Sequence, residues 1–173
     1  LDCAINAVSE GCVLLKNDDN ALPLRNNDKV AVFGRSAFNY YKSGLGSGGL
    51  VNTKYVVSIL DALRANKDIT LDEKLLKVYE EWIKENPCDE GKGWGTVPWS
   101  QKEMKLEDSV VQAASHADIA LVIIGRTAGE DQDSKNEPGS YLLTEDEENM
   151  IEKVTKTFKK TVIILNVGNI IDM

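Results

Sequence analysis

Glu130 stands in the run Gly125-Arg126-Thr127-Ala128-Gly129-Glu130-Asp131-Gln132-Asp133, directly after the apolar stretch Ile119-Ala120-Leu121-Val122-Ile123-Ile124. A carboxyl group on a loop, free to be buried when another domain docks, suits general acid/base work, because desolvation raises its pKa toward neutrality. Flanked by Asp131 and Asp133, the same residue also reads as a solvated acid in an acidic stretch, and composition alone favours that plainer reading. Arg126 is the nearest cation in sequence. It can hold a carboxylate or a ligand hydroxyl, or cap the strand that precedes it.

Other chemistry-bearing residues are sparse. His116 is the single histidine, so a Ser-His or Cys-His pair can be built only around it, and its place beside Asp118 near the end of a helical segment suits a cation at a helix C-terminus. The cysteines Cys3, Cys12 and Cys88 show neither Cys-x-x-Cys nor Cys/His ligand spacing. They read as reduced, mostly packed thiols, which points to a reducing compartment, the cytoplasm, and to no metal or cofactor. Gly44-Leu45-Gly46-Ser47-Gly48-Gly49 invites a nucleotide reading, but a dinucleotide fingerprint places its glycines directly after the strand, and here Gly34 ends the first strand too early. No Gly-Lys-Ser or Gly-Lys-Thr occurs either. A flexible surface turn is the plain alternative. Trp94 and Trp99 flank a loop that they either anchor or offer as stacking planes, whereas Trp82 has the helical spacing of a core residue.

The elements that position these residues follow from periodicity. Leu1 to Lys16 carries Ala4, Ile5, Val8, Cys12 and Leu15 on one side and predicts a helix interrupted at Gly11. Lys29 to Phe33 predicts a first strand. Tyr55 to Ala65 predicts a helix, with Val56, Leu60 and Leu63 on its apolar face. Thr70-x-x-Glu73 has capping-box form and opens a helix that Pro87 closes, with Leu75, Leu76, Tyr79, Trp82 and Ile83 inward. From Asp89 to Gln101 the chain turns to Gly, Pro and Trp without a period, which is loop chemistry. A helix near Leu106 feeds the strand at Ile119; a second capping box, Thr144-x-x-Glu147, opens a helix with Ile151, Val154 and Phe158 inward; and Thr161 to Val167 is a further strand. Strand and helix in alternation predict an α/β three-layer sandwich, with a mainly parallel sheet and helices on both faces.

Composition bounds the partners. With 42% apolar residues among 173, the chain can bury one good core as a single domain, and no stretch approaches the ~18 apolar residues of a membrane span. Twenty-eight acidic residues against 20 basic give a formal charge of −8, which repels a nucleic-acid backbone. No initiator Met or charged-then-apolar leader is present, and the last strand stops shortly after Gly168-Asn169. A piece of a longer polypeptide is therefore expected, and an open sheet edge together with uncovered apolar surface predicts self-association of the piece, as a dimer.

Five blocks in order carry a further signal: Ser9 to Asn17 with Ala21-Leu22-Pro23-Leu24, Lys29 to Gly34, Gly44 to Thr53, Asp118 to Glu130, and Leu165 to Met173. Together they resemble the C-terminal α/β sandwich domain of the family three glycoside hydrolases, the β-glucosidase and β-xylosidase group. The stretch from about Thr70 to Lys105 carries least of the likeness. The resemblance implies a domain that packs against a separate (β/α) barrel of the same polypeptide and lends its active site one carboxylic acid, for a β-linked glucoside or xyloside substrate. Many members carry Gly-Glu-Gly-x-Asp-Arg where this chain has Gly129-Glu130-Asp131-Gln132-Asp133-Ser134, so Glu130 becomes the expected acid/base and Asp131 and Ser134 depart from the pattern. Arg126, Ser47 and Gly48 become expected substrate contacts, Ser47 meeting a sugar hydroxyl or orienting a carboxyl. The rival is a non-catalytic carbohydrate-binding or interface domain. In either case Glu130 in the separate chain is expected to titrate as an ordinary solvated Glu.

Overall fold

Three apolar runs ended by glycine or polar residues, together with the short pair Thr70–Leu71, become four parallel strands in the computed structural model, which describes residues 2–130 and 132–173. The helix start at Leu1 and the loop residue Asp131 lie outside the described residues. Lys29–Phe33 forms β1, Thr70–Leu71 β2, Ile119–Arg126 β3 and Thr161–Val167 β4. Their order in the sheet is β2-β1-β3-β4, with Val30 opposite Ile119 and Ala120 opposite Thr161. β3 is buried along its whole length because it is central and covered on both faces, which is why it reads as an unbroken apolar run.

Among the described residues the helices are α1 Asp2–Gly11, α2 Ile59–Ala65, α3 Glu73–Glu85, α4 Asp108–Ala114 and α5 Glu145–Thr157. Strand alternation sends Ala31, Phe33, Ala120, Val122 and Ile124 to one face of the sheet, where α3, α4 and α5 pack through Tyr79, Val111, Met150 and Val154. Val30, Val32, Ile119, Leu121 and Ile123 face the other way and meet Leu60 of α2. The three-layer arrangement expected from the alternation is thus present.

Several boundaries differ from the sequence reading. Thr70 opens no helix: it lies in β2, opposite Lys29, and Asp72 caps α3 instead, its Oδ1 accepting from the backbone N–H of Lys74 (3.1 Å) and Leu75 (3.2 Å). Pairing with β1 takes precedence over the local capping pattern, since Thr70 and Asp72 donate to the Asp28 and Val30 carbonyls. α2 starts four residues later than Tyr55, at a capping box between Ser58 and Asp61. The Thr144 box forms as read, with Glu147 N–H donating to Thr144 Oγ1 (3.2 Å) and Thr144 N–H to Glu147 Oε2 (2.8 Å). α1 ends at Gly11 and buries none of its residues; Ile5, Val8, Val13, Leu14 and Leu15 are all exposed. Cys3 and Cys12 are exposed with them, against the expectation of packing, and Cys88 is half-buried. No helix among the described residues is long and apolar enough to cross a membrane.

After β2 the chain crosses over β1 to reach β3, so the carboxyl ends of β1 and β3 flank the point where the strand order reverses. Open α/β sheets take their ligands there. Gly34 leaves β1 at φ +98, and a Cβ on it would collide with the Ile123 carbonyl of β3. Only glycine lets the two strand ends lie this close.

Candidate functional site

Glu130 lies on the loop that leaves β3, and the glycine-rich segment closes on it from the side. Leu45 N–H donates to the Ala128 carbonyl. The backbone N–H and hydroxyl of Ser47 both donate to Glu130 Oε2, at 3.0 and 2.9 Å. Oε1 has no partner among the described residues, and the side chain is exposed. These donors, the backbone N–H first and the hydroxyl second, hold the Glu130 carboxyl below the usual carboxylate range rather than at the ordinary solvated value. The hydroxyl expected to meet a substrate therefore faces a carboxylate, which is the other half of the expectation for Ser47. Gly48 is exposed, with open space around its Cα.

The structure corrects the expectation for Arg126. Its side chain is 3% exposed and its guanidinium forms a two-pronged pair with Glu147, Nη1 to Oε1 at 2.6 Å and Nη2 to Oε2 at 2.7 Å. The remaining N–H groups donate to the carbonyls of Gly125 (2.9 Å), Ser140 (3.1 Å) and Leu142 (3.2 Å). With every prong engaged and the side chain enclosed, Arg126 offers nothing to a substrate. It ties the end of β3 to α5 and to the segment before it. His116 is likewise structural, its Nε2 3.3 Å from Asp72 Oδ2 and its Nδ1 2.8 Å from the Ala113 carbonyl.

Sequence reasoning missed the strap that joins the Glu130 loop to the loop of residues 89–101. Gln132 Nε2 donates to the carbonyls of Gly95 and Val97, the latter at 3.1 Å, and Thr127 N–H donates to the Trp99 carbonyl at 2.8 Å. Trp99 is half-buried on this strapped loop and Trp94 is 56% exposed. Trp82 sits only partly buried against the core, with the Arg35 guanidinium 5.1 Å from its ring centroid.

Beneath the loops lies a buried polar layer. Glu103 accepts from the backbone N–H of Arg35 and of Met104, both at 2.8 Å, and Gly34 N–H donates to Tyr79 Oη at 3.0 Å. Burial pushes the Glu103 carboxyl up to about 7. The folded state then keeps a proton that the unfolded chain releases, so stability is full below the ordinary Glu value of 4.5, falls as pH rises, and levels off above about 7. The loss across that window amounts to about 3 kcal/mol. Urea unfolding at stepped pH should show this slope in the native sequence and lose it in Glu103→Gln; an unchanged slope in the variant would remove Glu103 as its source.

Among the described residues no cluster of three or more His, Cys, Asp and Glu side chains could hold a metal ion. What the switch point presents is one carboxylate, held by one oxygen and open at the other. Such a group can pass a proton at a neighbouring surface. Residues 12–173 match the family described as glycosyl hydrolase family 3 C-terminal domain. A β-glucosidase from Ruminococcus albus is 51% identical over 174 residues, covering 100% of this chain and 18% of that protein. Among solved structures, a β-glucosidase from Paenibacillus barengoltzii superposes with a TM-score of 0.94 at 53% identity, over 97% of this chain and 18% of that one. β-Glucosidase 3B from Thermotoga neapolitana, in complex with α-D-glucose, gives 0.86 at 31% identity, over 99% and 24%. The chain thus spans roughly a fifth of the length of the proteins it matches.

Proposed function

Because this chain belongs to the glycosyl hydrolase family 3 C-terminal domains, we propose that it is the second domain of a retaining exo-β-glycosidase acting on β-glucosides, with Glu130 as the general acid/base. The observation that carries this reading is the position of Glu130, at the sheet's switch point, with Oε2 fixed by Ser47 and Oε1 open. In double displacement the acid protonates the leaving oxygen while a carboxylate roughly 5 Å away attacks the opposite face of the sugar, and the acid then returns as base to activate water. This chain supplies the first of the two groups. The nucleophile sits on the barrel of the same polypeptide, and the exposed apolar residues of α1 and the segment after it, Ile5, Val8, Val13, Leu14 and Leu15, belong to the surface that the rest of the polypeptide covers. Docking of the barrel also removes water from Glu130 and raises its pKa toward the working range, against the pull of Ser47.

The test is an assay of this chain alone beside the full polypeptide on aryl β-glucosides. The full polypeptide should turn over and the chain alone should not, because proximity of the two carboxyls supplies much of the rate. Turnover by the pure chain would sink the assignment.

A further inference from the structure

We propose that Ser47 is a positioning residue for Glu130: its two donors fix Oε2 against the glycine-rich segment and reserve Oε1 for the proton that is passed. The inference rests on the acid/base reading of Glu130. Its geometric basis is the convergence of a backbone N–H and a hydroxyl from one residue on one carboxylate oxygen, 83 residues away in sequence. Gly46 makes the approach possible. It holds φ +100, and a Cβ there would lie 2.6 Å from Glu130 Cβ and 2.9 Å from Oε2. Any side chain at that position pushes the carboxylate off its seat. The contact is further fixed by the bond from Leu45 N–H to the Ala128 carbonyl, which joins the two segments two residues before each member of the pair.

The surroundings leave Ser47 as the dominant local influence. Among the described residues no ion pair reaches Glu130. Arg126, four residues earlier on the same strand and loop, is committed to Glu147. Lys42, the cation nearest to the glycine-rich segment in sequence, donates to Thr53 Oγ1 at 3.3 Å. Asp133 follows on the same loop and carries the same charge as Glu130.

The clasp has opposite consequences for the two half-reactions. In the first, a proton leaves Oε1 for the glycosidic oxygen as the bond from that oxygen to the anomeric carbon breaks and the barrel carboxylate bonds to the carbon; Glu130 ends as a carboxylate, the form to which Ser47 donates. In the second, water adds to the anomeric carbon, its proton passes to Oε1, and the bond to the barrel carboxylate breaks. Ser47 thus favours the product state of the first step and opposes reprotonation in the second. It also lowers the highest pH at which free enzyme keeps Glu130 protonated.

The experiment compares native, Ser47→Ala and Ser47→Thr full-length enzyme, with Glu130→Gln as control, on cellobiose and p-nitrophenyl β-D-glucoside across pH. Removing the hydroxyl leaves the backbone donor, so Ser47→Ala should lower kcat/KM on cellobiose about tenfold. The alkaline limb of its profile should move to higher pH, because a carboxylate with fewer donors holds its proton more strongly. Ser47→Thr, which keeps a hydroxyl, should restore both. A loss of rate with the alkaline limb unmoved assigns Ser47 a merely structural role and overturns the proposal, as does native behaviour of Ser47→Ala. Full activity of Glu130→Gln on cellobiose overturns the acid/base reading itself; an inactive Glu130→Gln beside an unperturbed Ser47→Ala overturns only the clasp.

Discussion

Glu130→Gln in the full polypeptide should cut kcat/KM on cellobiose by a factor of about 10² to 10⁴, the usual contribution of a positioned acid or base. The amide keeps the size of the side chain, and its carbonyl oxygen can still accept from Ser47, so the loop should hold its shape while the transferable proton is lost. Leaving groups that need no proton discriminate the cause. With a dinitrophenyl glucoside the first step should be nearly spared, and the slow step should become attack of water on the glycosyl-enzyme, now without a base. A burst of dinitrophenolate followed by a slow steady state is the expected trace. If Glu130 only held a sugar or the barrel, the variant would raise KM with kcat retained on both substrates, and no burst would appear.

How much of this arrangement was legible in the sequence depends on whether local or distant forces decided it. β3 and α5 were plain, because an unbroken apolar run rich in β-branched residues and a Thr144-to-Glu147 capping box are local signals that the packing also rewards. β2 was not, since two residues carry no period and Thr70 has capping form until the Asp28 carbonyl, just before β1, takes its N–H. α1 stops at Gly11, five residues short of the Lys16 that its apolar spacing reaches, because glycine ends the helix where no packing holds it, and its apolar stripe finds no surface within the chain. At the site, Glu130 was located by the strand before it and given its role by resemblance. Its contact with Ser47 was only one of two options, because a hydrogen bond across 83 residues has no spacing rule. For Arg126 the sequence offers a carboxylate, a ligand hydroxyl or a strand cap without choosing; the structure takes the first, but the partner has no local signal, because Glu147 already reads as half of the Thr144 capping box and its one carboxylate serves both, Oε2 accepting from Thr144 N–H and from Arg126 Nη2.

That shared carboxylate carries the largest stability prediction. Arg126→Met removes the cation from a Glu147 side chain that is 6% exposed and leaves the carbonyls of Ser140 and Leu142 without their guanidinium donors. Breaking a buried pair from one side costs about 3–5 kcal/mol, because the surviving charge stays desolvated. The capping bonds to Thr144 soften this only slightly, for they were present before the change. Removing both charges together, Arg126→Met with Glu147→Gln, should cost less than the sum of the two single changes, since the amide retains an acceptor for Thr144 N–H and no ion is left buried. Urea unfolding of the four proteins, with equal slopes and displaced midpoints, measures the coupling. Strict additivity would mean that the pair contributes nothing as a pair. In that case the end of β3 must be held to α5 by the apolar contacts of Met150 and Val154 alone.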